Sequence, residues 1–237
     1  MFRCEQQIYD KLWQESVSAF DQNAVRLDGH LKNRQSDKRR GVTLLARPNA
    51  EICSRVKEFL DEVAAIAPEQ HFYCPTEFHM TVLAIVPGSE NWQEAMSRLP
   101  EYLAVLEETL NQFAGFSVEF RGVTASPEAI LIQGFPVDDS LVQLRNKLRS
   151  ALAARNLAEN LDRRYKIATA HLTVARFSSP QNWQPLKSLL AANRQRDFGR
   201  TCCDSLQLIK ADWYASTGSV ETLCEYQLRE PDLPKIA

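Results

Sequence analysis

Apolar residues along this chain switch between helical and strand spacing, and the order of the switches occurs twice. Ile8, Leu12, Trp13, Val17 and Phe20 fall close to helical spacing and predict an amphipathic helix over 6–20. The polar, basic run over 32–40 reads as a solvated connector, with phosphate binding as its alternative role. A short apolar strand is then predicted over 41–47, ended by Pro48-Asn49, where Asn49 can cap a helix. Ile52, Val56, Phe59, Leu60 and Val63 lay an apolar stripe along that helix. After a loop, 78–86 (FHMTVLAIV) is a strongly apolar strand.

The second half repeats the pattern. A strand over 129–135 runs into Pro136-Val137-Asp138-Asp139-Ser140, and Leu141, Leu144, Leu148 and Leu152 mark a helix through Ala154. A charged loop leads to another apolar strand over 170–177 (AHLTVARF). The two halves share little sequence, so the duplication is one of pattern, and it suggests lobes related by an approximate two-fold axis. Supporting elements are expected as a helix within 92–113, a strand over 116–123 and a helix over 183–193 that tolerates Pro185 in its first turn. Two final strands, over 202–213 and 219–228, flank a turn at Ser216-Thr217-Gly218. The fold expected is α+β and bilobal, with duplicated strand-helix-strand units, two sheets around a central cleft and helices outside. Residues 1–38 read as an N-terminal helical extension and connector. Residues 39–237 form the two-lobed domain, with lobes 39–128 and 129–237 that can exchange end strands.

Composition narrows the function. A net charge of −2 and a 44% hydrophobic content describe an ordinary globular protein without the cationic excess that coats a long polyphosphate. Extended nucleic-acid binding is therefore not expected, whereas a nucleotide or an RNA end held by a few local cations is. No apolar run reaches the roughly 20 residues that span a bilayer. The first seven residues lack a signal peptide's basic flank and apolar stretch, so no membrane association and a cytoplasmic location are expected. The six cysteines form no C-x-x-C pair and read as buried reduced thiols.

The chemistry sits in the two apolar strands. Two of the four histidines occur as His79-Met80-Thr81-Val82 and His171-Leu172-Thr173-Val174. One such match in an apolar strand is ordinarily a packing histidine beside a common strand former. Two, at equivalent places in a repeated scaffold, point to function. Residues i and i+2 of a strand share a face, so each His-Thr pair faces one way, and a two-fold axis turns both pairs toward a common groove. Two imidazoles flanking a phosphorus suit in-line displacement, one removing a proton from the attacking oxygen and the other protonating the leaving oxygen. Threonine hydroxyls donate to the non-bridging oxygens. This scheme needs no metal and no cofactor. A zinc site has no third ligand in view, and a serine nucleophile lacks its G-x-S-x-G elbow.

The two tetrapeptides, 92 residues apart within duplicated halves, resemble the 2H phosphoesterase superfamily, which includes the 2′-5′ RNA ligase and 2′,3′-cyclic phosphodiesterase proteins. The similarity covers about residues 40–228. It implies His79 and His171 as proton donor and acceptor, and Thr81 and Thr173 as phosphate ligands. Family members often carry Arg five residues after the second histidine, which matches Arg176. Strict alternation nevertheless puts Arg176 on the face opposite His171, where it either reaches around a strand end to the phosphate or pairs with an outer carboxylate. Tyr165 either stacks on a base or contacts the phosphate, or is an ordinary loop aromatic; Phe72 and Tyr73 raise the same question. His30 and His71 have no companions and read as surface or packing residues. The function expected is a metal-independent phosphodiesterase for a 2′-linked or cyclic phosphodiester of a nucleotide or RNA end. Its alternative is a nucleotide- or RNA-end-binding module without turnover, and the N-terminal helix is a candidate docking element for a protein partner.

Overall fold

The computed structural model describes residues 3–159, 161–162 and 166–230. The chain is mixed α+β. Helix α1 (Arg3–Asp21) precedes strand β1 (Arg40–Ala46), helix α2 (Ala50–Ile66), the two-residue strand β2 (His71–Phe72) and strand β3 (Met80–Ser89). Helices α3 (Trp92–Met96) and α4 (Leu99–Leu110) lead to β4 (Phe116–Ser126), β5 (Ala129–Pro136), α5 (Ser140–Ala154) and β6 (Leu172–Arg176). Helix α6 (Trp183–Ala192) and strands β7 (Asp197–Cys203), β8 (Ser205–Asp212) and β9 (Glu221–Gln227) complete the chain.

Both repeated units fold as their patterns demand. In the first, Asn49 caps α2, its side chain accepting from the Ile52 N–H at 3.0 Å. Ile52, Val56, Phe59, Leu60 and Val63 are the buried face of that helix. In the second, β5 is buried along its whole length, and α5 buries Leu141, Leu144, Leu148 and Leu152. The strands order β7-β4-β5-β6-β3-β1-β8-β9, with β2 added beside β6, and every named pairing is antiparallel. The order reads symmetrically from its middle, β6 answering β3 and β5 answering β1. Where two sheets were expected, the ladder is continuous, but β3 and β6 meet only at Met80 opposite Leu172. That one pair places the residues flanking each histidine side by side.

Three local readings are corrected. The helix expected within 92–113 is two helices, since Arg98 starts α4 and Pro100 fits only a first turn. The strand expected over 202–213 breaks at Asp204, and its halves go to opposite ends of the sheet, β7 pairing with β4 and β8 with β1. Of the six cysteines only Cys203 is buried, burial pushing its thiol up to about 12, while its strand neighbour Cys202 faces outward.

Helix α1 lies against β4 and α6. The buried Tyr9 hydroxyl donates to the Gly134 carbonyl at 2.9 Å and accepts from the Gly134 N–H at 3.1 Å. A side chain at Gly134 would meet the Ala170 carbonyl at 1.9 Å, so this position needs glycine for close backbone approach. Phe20 stacks on Trp183 and meets Phe177 edge-on, fixing the other end of the helix.

Candidate active site

His79 and His171 each stand one residue before a strand, β3 and β6 respectively. Beyond each motif threonine the strand carries a bulge. Leu45 of β1 pairs with Thr81 but Leu44 pairs with Leu83, so Val82 is the extra residue. Leu131 of β5 pairs with Thr173 but Ile130 pairs with Ala175, so Val174 is the extra residue in its turn. The valine of each motif is thus the bulge, and it resets the alternation of faces. The residue five places after each histidine returns to the histidine's side: Ala84 in one half, Arg176 in the other. This resolves Arg176, which lines the same cavity as His171 rather than the opposite face.

That cavity, of about 190 Å³, is bordered by His79, Thr81, His171, Thr173, Arg176 and Tyr73. The residues that hold the bulges are as informative as the motifs. The Val174 carbonyl accepts from the Tyr73 N–H at 3.1 Å. On the other side Arg145, buried in α5, donates through Nε to the Val82 carbonyl at 3.0 Å and through Nη2 to the Thr81 and Thr169 carbonyls, both at 2.8 Å. Burial brings its guanidinium down to about 10, so it stays charged at neutral pH. Arg145 shares the α5 face with Leu141 and Leu148, and a reading that seeks only apolar periodicity passes over it.

Each imidazole is oriented by the residue two places before it. The Glu77 carbonyl lies 2.7 Å from His79 Nδ1, and a carbonyl only accepts, so neutral His79 carries its hydrogen on Nδ1 and leaves Nε2 as an acceptor. The Thr169 hydroxyl lies 2.8 Å from His171 Nδ1 and can donate or accept, so it serves both the neutral and the protonated ring. Burial lowers the pKa of both histidines. His171 is pushed down to about 4, the charges of Arg145, a protonated His79 and Arg176 adding to the effect.

One wall of the cavity is aromatic and cationic. Arg176 Nε donates to the Tyr73 hydroxyl at 2.9 Å, and its guanidinium lies 5.9 Å from the Trp213 ring and 5.8 Å from the Tyr214 ring. Among the described residues Arg176 makes no ion pair with a carboxylate. His71, expected to be without companions, pairs across β2 with Arg176 and packs edge-on against Tyr73 and Tyr214. Arg34 Nη2 lies 2.7 Å from its ring, and burial together with that charge takes His71 down to about 4. The basic run over 32–40 is therefore less solvated than expected: Arg34 reaches His71, and Arg39 pairs with Asp37 over the Trp213 ring. Trp213 and Tyr214 carry no motif that sequence reading could find; their place at the end of β8 brings them here. Phe72 pairs with Ala175, and Tyr165 lies outside the described residues. Among the described residues no group of three or more His, Cys, Asp or Glu is placed to hold a metal ion, and no helix is long and apolar enough to cross a membrane.

Comparison with solved structures gives the fold independent support. The chain superposes on TT0787 of Thermus thermophilus with a TM-score of 0.58 at 17% identity, covering 80% of this chain and 98% of that one. Escherichia coli LigT complexed with 3′-AMP gives 0.52 at 15% identity, covering 81% and 99%. LigT complexed with ATP gives 0.52 at 16% identity, with the same coverage. No curated protein sequence matches. The family model described as the 2′-5′ RNA ligase superfamily matches residues 76–213, a span that contains both histidine motifs and both bulges. That span is more than half of the chain, and this protein therefore belongs to the 2′-5′ RNA ligase superfamily, among the 2H phosphoesterases.

Proposed function

We propose that this chain is a metal-independent phosphodiesterase acting on a 2′-linked or cyclic phosphodiester of a nucleotide or RNA end. The observation that carries the reading is the meeting, in one small cavity, of two imidazoles, two threonine hydroxyls and a guanidinium that has no carboxylate partner among the described residues. A largely buried cation in such surroundings favours an anionic ligand. The nucleotides bound in the LigT structures make a nucleotide phosphate the natural candidate.

His79 serves as the proton acceptor, since the Glu77 carbonyl holds its Nδ1–H and leaves the Nε2 lone pair. It takes the proton of the attacking water. Protonated His171, its Nδ1–H donating to the Thr169 hydroxyl, delivers a proton to the leaving ester oxygen. In the reverse direction the roles exchange. Thr81 and Thr173 donate to the non-bridging oxygens while Arg176 offsets their charge. Tyr165 is carried as a further phosphate or base contact.

The test is a screen of purified protein, in the presence of EDTA, against 2′,3′-cyclic mononucleotides, 2′-5′ dinucleotides, ADP-ribose cyclic phosphate and RNA ends with a cyclic phosphate. Turnover of at least one substrate that survives chelation is expected. Activity that vanishes with EDTA and returns with Zn²⁺ or Mn²⁺ would overturn the metal-free scheme. Tight binding of these ligands without any turnover would replace the enzyme by a binding module.

A further inference from the structure

A second cavity, of about 460 Å³, opens beside the histidine cavity and shares His171, Thr173, Arg176 and Trp213 with it. Its far wall is helix α1, through Ile8 and Leu12, and its floor includes Leu131 of β5. Ile8 and Leu12 are one turn apart and share a face. Both remain half-buried although α1 is anchored between them, by Tyr9 on Gly134 and by Asp10 on Arg194 at 2.7 Å. The helix is thus held rigidly with two large apolar side chains aimed into open space next to the candidate phosphate site. An apolar wall beside a few polar groups is the make-up of a small-molecule pocket.

We infer that this cavity is the nucleoside subsite, taking the base and sugar attached to the phosphate held at His171, Thr173 and Arg176; the inference rests on the phosphate reading above. The histidine cavity is too small for a whole nucleotide, whereas the second falls within the roughly 300–1,000 Å³ of small-molecule sites. Its chemistry selects a heterocycle over a second phosphate. Among the described residues the lysine and arginine side chains lining it are Lys166 and Arg176, and the carboxylate of Glu128 lines it too, which disfavours a second anion; Ile8, Leu12, Ala129 and Leu131 supply the apolar wall and Ser126 a neutral polar group. An aromatic heterocycle presents apolar faces to Ile8, Leu12 and Leu131 and a hydrogen-bonding edge to Ser126 and Lys166. In this arrangement α1 determines specificity from outside the span matched by the family model.

The test uses the full chain, titrated calorimetrically with inorganic phosphate and separately with adenosine 3′-monophosphate. The variant is Ile8→Gln combined with Leu12→Gln, two half-exposed helix positions where glutamine keeps helical propensity and adds no charge. Thermal melting verifies that the fold is intact. Wild type should bind the nucleotide at least about tenfold more tightly than phosphate. The double variant should lose about tenfold or more for the nucleotide while its affinity for phosphate stays within about twofold. A nucleotide affinity unchanged in the double variant overturns the subsite and leaves the phosphate reading standing. Arg176→Ala separates the two failures: if it binds phosphate and nucleotide as wild type does, the phosphate reading fails and the subsite falls with it.

Discussion

At the scale of single residues, the histidine cavity combines two groups whose charge is suppressed with one whose charge persists. Burial holds the His79 and His171 imidazoles below their ordinary value, so both are neutral in the free protein at neutral pH. Arg176 cannot deprotonate and stays cationic. The proposed mechanism needs one ring protonated and one neutral. Since both apparent pKa values lie below about 6.5, kcat/KM should peak on the acid side of pH 6.5 and fall about tenfold per pH unit on the alkaline limb. A pH-rate profile with a stable optimum above pH 8 would contradict this. Arg176→Ala should lower kcat/KM by on the order of 10²-fold, with Arg176→Lys recovering only part of the loss, because an ammonium lacks the planar fork that spans two phosphate oxygens.

Among elements, the bulges explain both what the sequence made legible and what it hid. The helical stripe of α2 and the leucines of α5 could be read directly, because burial of one face imposes a fixed period. The His-Thr pairs could be read because i and i+2 share a strand face. Arg176 could not, since its side depends on a single inserted residue, Val174, and alternation has no marker for a bulge that lacks glycine. Trp213 and Tyr214 were hidden for a different reason: they reach the site through long-range packing, from the end of β8. Arg145 is the element-scale counterpart of the motif, because it satisfies carbonyls on β3 and on the segment before β6 at once. Arg145→Leu leaves those carbonyls without their donor and should cost on the order of 3 kcal/mol of stability, measured by urea unfolding. A loss below about 0.5 kcal/mol would show that the bulges hold without it.

For the whole molecule, the two repeated units meet at Met80 and Leu172, and α5 of the second packs on β3 of the first. The candidate site therefore sits where the two units meet and draws residues from both. It also makes the fold sensitive to acid. His71, His79 and His171 all have folded-state pKa values below the unfolded one. As pH falls from about 6.5 toward 4, the unfolded chain binds protons that the folded chain refuses, so stability drops through that window and is fully present above it. Thermal melts should show a progressive fall in Tm from pH 6.5 to 4, with a shallower slope in His71→Gln. A Tm flat across the window would refute the burial of these rings.

The most direct measurement is the steady-state rate of wild type, His79→Ala, His171→Ala and the double variant on a substrate accepted by wild type, in EDTA. Each single replacement should reduce kcat/KM by about 10²–10⁴-fold. The double variant should fall little further than the worse single one, because the proposed mechanism has the two groups act in one step. A folded His79→Ala protein that turns over at close to the wild-type rate would contradict the account at its centre.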